Sequence, residues 1–432
     1  MTEAAPDTLA EILAGRYIDP ETGGRFACPV AHVTIAATLD GAEPELVAQA
    51  RLGGRPAVVA DETTWEVMGR RVAQALGTDL TLVLKQPHAD LSFVEQIRRG
   101  TERAHSVIAV GSGTISDLCK LAAHKDHRRY AIFATAPSMN GYVTGTASMT
   151  ARGLKVSLPA HPPAAAFFDL KVLARAPARM IRAGIGDCLA RSTAQVDWLL
   201  SHLLLGTPYT DTPFAMQADD EAALHETVEE AIRGEPVGIE LLVRTLLLSG
   251  FGMALVGSSH PASMGEHLIS HYIDTLAEPH PGSLHGEQVG VASWTMARLQ
   301  AQVIGSREPP VFLPTTLDEE ELRQRHGLAA EDCVKALKRK ALDGAAVERL
   351  NSHLATDWPR IRSRLRAAML PVSRLERVLG RGGLPMSGES LGLTAEFYRE
   401  AVRHAREARD RFGMLDLAAD CGILEAFVAD ES

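Results

Sequence analysis

An α/β N-terminal domain on a parallel, Rossmann-like sheet, followed by an all-α C-terminal domain, is the fold class this sequence predicts. Three observations carry it. Short runs rich in valine and isoleucine alternate with amphipathic segments from about residue 31 to 175. The strand signal then stops, and helical periodicity continues from about residue 176. The chain's 432 residues exceed what one core usually serves. The expected division is an N-terminal extension over 1–30, the α/β domain over 31–175 and the all-α domain over 176–432.

Strands are expected at 33–36, 57–60, 80–84, 107–110 and 131–134, with helices over 43–52, 65–76 and 93–103. Apolar strands alternating with helices imply a parallel sheet covered on both faces, with right-handed crossovers. Residues 394–412 read as one long charged helix with Thr394 as its N-cap. Residues 239–256 are strongly apolar but are broken by Glu240, Arg244 and glycines, so they read as a buried helix and not a membrane span.

Hydrophobic residues make up 46% and charged residues 23%, an ordinary globular balance with ample apolar surface to bury. The net charge of −10 argues against a nucleic-acid footprint, yet a pocket can still be locally positive. Five cysteines stand at 28, 119, 188, 333 and 421. Their odd number and wide spacing predict a reduced, cytoplasmic protein without a disulfide framework. No signal peptide is expected, because no basic stretch precedes an apolar run at the N-terminus.

Chemistry concentrates in residues 257–271. His267 and His271 are four apart, so they share one face of a helix. His285 follows in Ser-Leu-His-Gly-Glu-Gln, and Asp187 ends Gly-Ile-Gly-Asp upstream. Two imidazoles and a carboxylate, from His267, His285 and Asp187, suit zinc, nickel or ferrous iron and leave a position open for substrate. His271 then faces what the metal activates. A His-x3-His pair alone is common in helices, so the reading rests on the set. Cys188 points about 100° away from Asp187 on a helix and reads as core.

Gly111, Ser112, Gly113, Thr114 and Asp117 follow a strand and open a helix. Glycines let a backbone approach a phosphate, and a helix N-terminus favours negative charge, so this is a pyrophosphate cradle in outline. The third fingerprint glycine is replaced by Ser116, which keeps a plain strand-to-helix turn as the competing reading. After the next strand, Thr135 and Ser138 offer hydroxyls to a ribose or phosphate, or simply to the turn itself. Asp61, ending the second strand, suits a ribose 2′-hydroxyl and so NAD, or else a helix N-cap. Lys155 is the basic residue put forward for a substrate phosphate, with a solvated lysine at a strand end as the alternative.

Together, Gly111-Ser-Gly-Thr-Ile-Ser-Asp117, Thr135-Ala-Pro-Ser-Met-Asn-Gly-Tyr142, Ala183-Gly-Ile-Gly-Asp187, Pro261-Ala-Ser-Met-Gly-Glu-His267 with His271, and His285-Gly-Glu-Gln resemble sn-glycerol-1-phosphate dehydrogenases. That family lies within the iron-containing alcohol dehydrogenase and dehydroquinate synthase-like superfamily. Order and spacing match from roughly residue 30 to 430. The resemblance implies a dehydroquinate synthase-like fold, NAD or NADP, and one divalent ion, zinc first with nickel or iron as alternatives. It implies interconversion of dihydroxyacetone phosphate and sn-glycerol 1-phosphate. Gly111, Ser112, Gly113, Thr114, Asp117, Thr135 and Ser138 would hold the cofactor, with Thr144 standing where the family commonly has a cofactor-contacting serine. Asp187, His267 and His285 would hold the metal, and Asp187 and His271 would be the catalytic pair facing substrate.

Asn140 stands where the family usually has a substrate-contacting aspartate. An amide keeps the hydrogen-bonding reach and loses the charge, which opens the choice to a related phosphorylated or phosphonylated polyol. A glycerol or polyol dehydrogenase and a dehydroquinate synthase-like lyase are the competing activities. The expected partners are the small phosphorylated polyol and further copies of the chain, a dimer or larger, with no nucleic acid and no membrane insertion.

Overall fold

The computed structural model describes residues 7–151 and 154–431. Its contacts divide the chain into two units. Unit 1 gathers the described residues to Ala151, Lys155–Cys188 and Asp211–Ser258; unit 2 gathers Leu189–Thr210 and the chain from Ser259.

Unit 1 runs α1 (Thr8–Leu13), β1 (His32–Ala36), α2 (Glu43–Gln49), β2 (Pro56–Asp61) and α3 (Glu62–Thr64). A π-helical stretch, Trp65–Gly69, leads into α4 (Arg70–Ala75), then β3 (Thr81–Leu84), α5 (Leu91–Gly100), β4 (Ser106–Gly111), α6 (Gly113–Lys125) and β5 (Arg129–Ala134). A two-stranded ribbon of β6 (Thr146–Ala151) and β7 (Leu154–Pro159) precedes β8 (Ala165–Asp169) and α7 (Leu170–Leu173). The long α8 (Ala178–Leu205) runs from unit 1 into unit 2. Then α9 (Thr212–Glu226), α10 (Val228–Ile232) and α11 (Pro236–Val256) complete unit 1.

Six strands form one parallel sheet in the order β1-β8-β5-β4-β2-β3. The five strands expected from the sequence all form. The sequence reading has no strand at 165–169, because Ala-Ala-Phe-Phe suits a buried helix as well as a strand. In the structure this segment is β8, buried throughout between β1 and β5. The ribbon was likewise absent from the expectation. From β2 the chain moves on to β3, and from β4 it moves to β5 on the other side. Neighbouring strands that leave in opposite directions open a crevice at their carboxyl ends, which is where ligands of such sheets bind. Val59 pairs with Ala109, so Asp61 and Gly111 end at one level there.

By length and composition α11 could cross a membrane, but 61% of its apolar window is buried inside the protein. It packs on α9, and its buried residues include Leu242, Leu246 and Phe251. The sequence expectation put 211–258 with the all-α domain, whereas contacts group Asp211–Ser258 with the sheet.

Unit 2 continues with α12 (Gly265–Leu276), α13 (His285–Gly305), α14 (Glu319–His326), α15 (Ala330–Lys340), α16 (Gly344–Ala368), α17 (Val372–Gly382), α18 (Ala395–His404), α19 (Met414–Asp420) and α20 (Leu424–Ala429). Leu268, Ile269, Tyr272 and Ile273 of α12 pack with Val291 and Met296 of α13 and Trp358 of α16 in one buried core. This apolar stripe fixes the rotation of α12 and so the direction of its histidines. Thr394 does cap α18, accepting the Phe397 N–H at 3.1 Å. The expected single helix over 394–412 instead ends at His404 and tightens into a 3-10 turn at Ala405–Ala408. Buried Lys340 takes the carbonyls of Arg406 and Arg411 at 2.7 and 3.2 Å, which holds the segment out of a continuing helix.

Candidate active site

In unit 1 the turn after β4 has little room. A Cβ on Gly111 would lie 2.5 Å from Ile115, and one on Gly113 3.0 Å from the sulfur of Met139. Ser112 is the N-cap of α6, and its hydroxyl makes no capping hydrogen bond. The first-turn N–H groups of Gly113 and Thr114 are therefore left without a side-chain cap, as an anion-binding turn requires.

Asp117, one turn on, has both oxygens engaged: Lys120 Nζ at 3.1 Å and the Ser148 N–H at 3.0 Å. Lys120 is wholly buried and also donates to the carbonyls of Gly141 at 2.6 Å and Thr146 at 2.9 Å. The Thr144 hydroxyl lies 3.0 and 3.2 Å from the same two carbonyl oxygens and shares its one proton between them. Asp117 and Thr144 thus pin the loop after β5 and the ribbon. Sequence reasoning missed Lys120; its i+3 spacing from Asp117 was the available signal. Asp61 caps α3, accepting the Thr64 N–H at 2.7 Å.

The loop after β5 carries Thr135, Ser138 and Asn140, and glycines let it lie close to two helices. A Cβ on Gly184 of α8 would fall 1.8 Å from the Pro137 carbonyl oxygen, and one on Gly250 of α11 2.7 Å from that of Asn140. So seated, the loop delivers the Asn140 N–H to Asp187 Oδ2 at 2.8 Å, while the Asn140 amide donates to Ser249 Oγ at 3.2 Å. Asp187 is buried. Its neighbour Cys188 is buried too, and burial raises its thiol well above the ordinary range, as suits a core residue. Lys155 lies on β7, away from the strand's start in the ribbon only by one residue.

In unit 2 three imidazoles stand together. Ring centroids of His267 and His285 are 5.1 Å apart, and each lies 6.1 Å from that of His271. The neighbours of His267 and His285 decide which nitrogen each presents. Glu266 Oε1 lies 3.0 Å from His267 Nδ1, and its carboxylate also accepts from the Met264 N–H and Thr193 Oγ1. An ionised carboxylate only accepts, so Nδ1 carries the proton and Nε2 the lone pair.

For His285 the logic runs through Gln288. The Gln288 amide nitrogen donates to Asp274 at 2.9 Å and Ser283 at 3.0 Å, which turns its oxygen towards Ser270. Ser270 spends its one proton on that oxygen at 2.7 Å. It therefore accepts from His285 Nδ1 at 3.0 Å, and Nε2 is again the lone pair. Two neutral imidazoles with Nδ1 occupied are what a borderline divalent ion takes, so the side chains present fit such a group. Glu266, Ser270 and Gln288 were not singled out from the sequence, since their partners are recognisable only once α12 and α13 are packed.

A family model described as iron-containing alcohol dehydrogenase matches residues 34–177. The glycerol-1-phosphate dehydrogenase (NAD(P)+) of Geobacillus stearothermophilus is 30% identical over 376 residues, covering 84% of this chain and 85% of that one. The enzyme of the same name from Pyrococcus furiosus is 32% identical over 295 residues, 67% of this chain and 78% of that one. Among solved structures, a probable glycerol dehydrogenase from Sinorhizobium meliloti 1021 shares the fold, with a TM-score of 0.59 and 18% identity over 90% of this chain and 94% of that one. Identity sustained across most of both chains, in the order the motifs led one to expect, means that the chain belongs to the glycerol-1-phosphate dehydrogenase family of the iron-containing alcohol dehydrogenases.

Proposed function

We propose that this chain interconverts dihydroxyacetone phosphate and sn-glycerol 1-phosphate, or a closely related phosphorylated polyol, with NAD or NADP and one divalent metal ion. Asp187, His267 and His285 are the group that would hold the ion. The observation that carries this reading is the fixed presentation of Nε2 by both histidines through Glu266 and Ser270. When bound, the ion supplies Lewis-acid polarisation of the substrate oxygen and the nicotinamide exchanges the hydride. The donor set favours zinc, with nickel or iron as alternatives.

The remaining roles fall to the chain's own residues. The turn of Gly111, Ser112, Gly113 and Thr114 binds the cofactor's pyrophosphate, and the hydroxyls of Thr135 and Ser138 hold its sugar. Asp117 and Thr144 act behind them by fixing the loop. Asp61 keeps a carboxylate oxygen for the adenosine ribose, which favours NAD. Asn140 orients Asp187 through its backbone N–H, a task its side chain's lost charge does not affect. His271 shares a face of α12 with His267 and orients substrate or moves a proton at its ring nitrogen. Five unpaired cysteines support a reducing, cytoplasmic setting.

The test is a substrate panel of glycerol 1-phosphate, glycerol 3-phosphate, a phosphonate analogue and glycerol, with NAD or NADP and added Zn²⁺, Ni²⁺ or Fe²⁺. Reduced cofactor should form fastest with glycerol 1-phosphate or its phosphonate analogue; equal or faster turnover of glycerol sinks the reading. His271→Ala is expected to keep its metal and lose on the order of 100-fold or more in kcat. Unchanged turnover in that variant would remove His271 from the chemistry.

A further inference from the structure

Among the described residues, two guanidiniums of unit 2 that follow α18, those of Arg409 and Arg411, form no ion pair with a carboxylate. Lys340 pins their segment through the carbonyls of Arg406 and Arg411. Arg411 reaches the turn that opens α12, donating from Nη1 to the Ser263 carbonyl at 2.5 Å and from Nη2 to Ser259 Oγ at 2.9 Å. These bonds orient its planar fork and leave other N–H groups unspent. Arg409, two residues earlier in extended backbone, is partly buried. Among the described residues it makes no hydrogen bond or ion pair.

The nearby acids are committed elsewhere. Asp410 pairs with Arg339 at 3.1 Å, and Glu266 is taken by His267, Met264 and Thr193. Burial, and then the charge of Arg409, hold the Arg411 guanidinium down at about 10, still protonated at neutral pH. Burial and the charge of Arg411 push His260 down to about 4, so the imidazole beside them is neutral. A cation drawn partly out of water without an acceptor is unfavourable. In a chain with net charge −10, the carboxylates near this pair, Asp410 and Glu266, are bonded to other groups. A phosphate supplies what is missing, since its oxygens match the arginine fork.

We propose that Arg409 and Arg411, with the Ser259 hydroxyl beside them, bind the phosphate group of the polyol substrate. Ser263, on which Arg411 rests, stands four residues before His267, so the subsite adjoins the turn leading to the candidate metal and substrate histidines. This inference rests on the phosphorylated substrate proposed above and puts these arginines ahead of Lys155.

Arg409→Gln is the informative variant, because Arg409 makes no bond that the fold needs. In the metal-loaded enzyme, the ratio of kcat/KM for glycerol 1-phosphate to that for glycerol should fall by about 10- to 100-fold, the loss of a charge-assisted contact. Inorganic phosphate should compete with glycerol 1-phosphate in the wild type, with an inhibition constant that rises by a similar factor in Arg409→Gln. Arg409→Lys should recover part of both. Metal content and melting temperature are measured alongside. A wild type that prefers glycerol 1-phosphate, with Arg409→Gln retaining its ratio and inhibition constant, overturns this inference alone. The same losses appearing in Lys155→Ala and not in Arg409→Gln overturn it as well. A wild type that does not prefer the phosphorylated substrate overturns the proposed function too.

Discussion

Gly184→Ala is expected to be among the most damaging single-methyl changes in unit 1. The added Cβ would sit 1.8 Å from the Pro137 carbonyl oxygen and 2.9 Å from its carbon, both backbone atoms that no rotamer change can move. Either α8 or the loop after β5 must shift. Overpacking costs about 1–3 kcal/mol and occasionally more, and a backbone clash belongs at the upper end. At roughly 1 °C per kcal/mol for a chain of this length, the melting temperature should fall by about 3 °C. Displacing the loop also draws the Asn140 N–H from Asp187, so turnover should fall on the order of 100-fold even where the protein remains folded. Thermal unfolding and kcat are the measurements. Gly380→Ala is the matched control: it lies in α17 with nothing within 4 Å of the added Cβ, and gains helix propensity. A Gly184→Ala protein that melts and turns over like the wild type would mean that the close seat is not required.

Metal binding should separate the ligands from the side chains that aim them. His267→Ala and His285→Ala are expected to lose stoichiometric metal after dialysis, measured by elemental analysis. Full retention in both would end the proposed ligand set. Ser270→Ala should bind metal about 10- to 100-fold more weakly, or about 1.4–2.8 kcal/mol. It removes the acceptor that keeps the proton on His285 Nδ1 and leaves the Gln288 oxygen without its donor. Ser270→Thr, which retains the hydroxyl, should recover most of that affinity. Nitrogen NMR of the metal-free protein supplies an independent readout, since His285 should shift from one neutral tautomer towards a mixture in Ser270→Ala. Wild-type affinity together with an unchanged tautomer would show that Ser270 does not aim the ring.

Much of this was legible in the chain. Alternating apolar runs located five of the six sheet strands, and the Gly111–Gly113 turn was recognisable because Gly111 answers to its near neighbour Ile115. His267, His271 and His285 could be singled out from spacing and donor chemistry. β8 was not legible, because four apolar residues carry no period to distinguish strand from helix, and its place between β1 and β5 is set by partners far away in the chain. The break in the helix at His404 was hidden for a similar reason: the charged amphipathic pattern continues, and only the distant Lys340 interrupts it.

The sequence by itself determined the type of most elements, the supply of metal-ligating and cofactor-turn residues, and the family resemblance. These follow from periodicity, side-chain chemistry and glycine's backbone freedom, all of which are local. Tertiary structure alone decided that residues Asp211–Ser258 join the sheet's unit, that Gly184 and Gly250 seat the Asn140 loop, and that Glu266 and Ser270 select Nε2 on His267 and His285. It also decided that Arg409 forms no ion pair among the described residues, its neighbour Asp410 being taken by Arg339. Each of these depends on atoms distant in the chain coming within contact range, and a linear pattern carries no record of that.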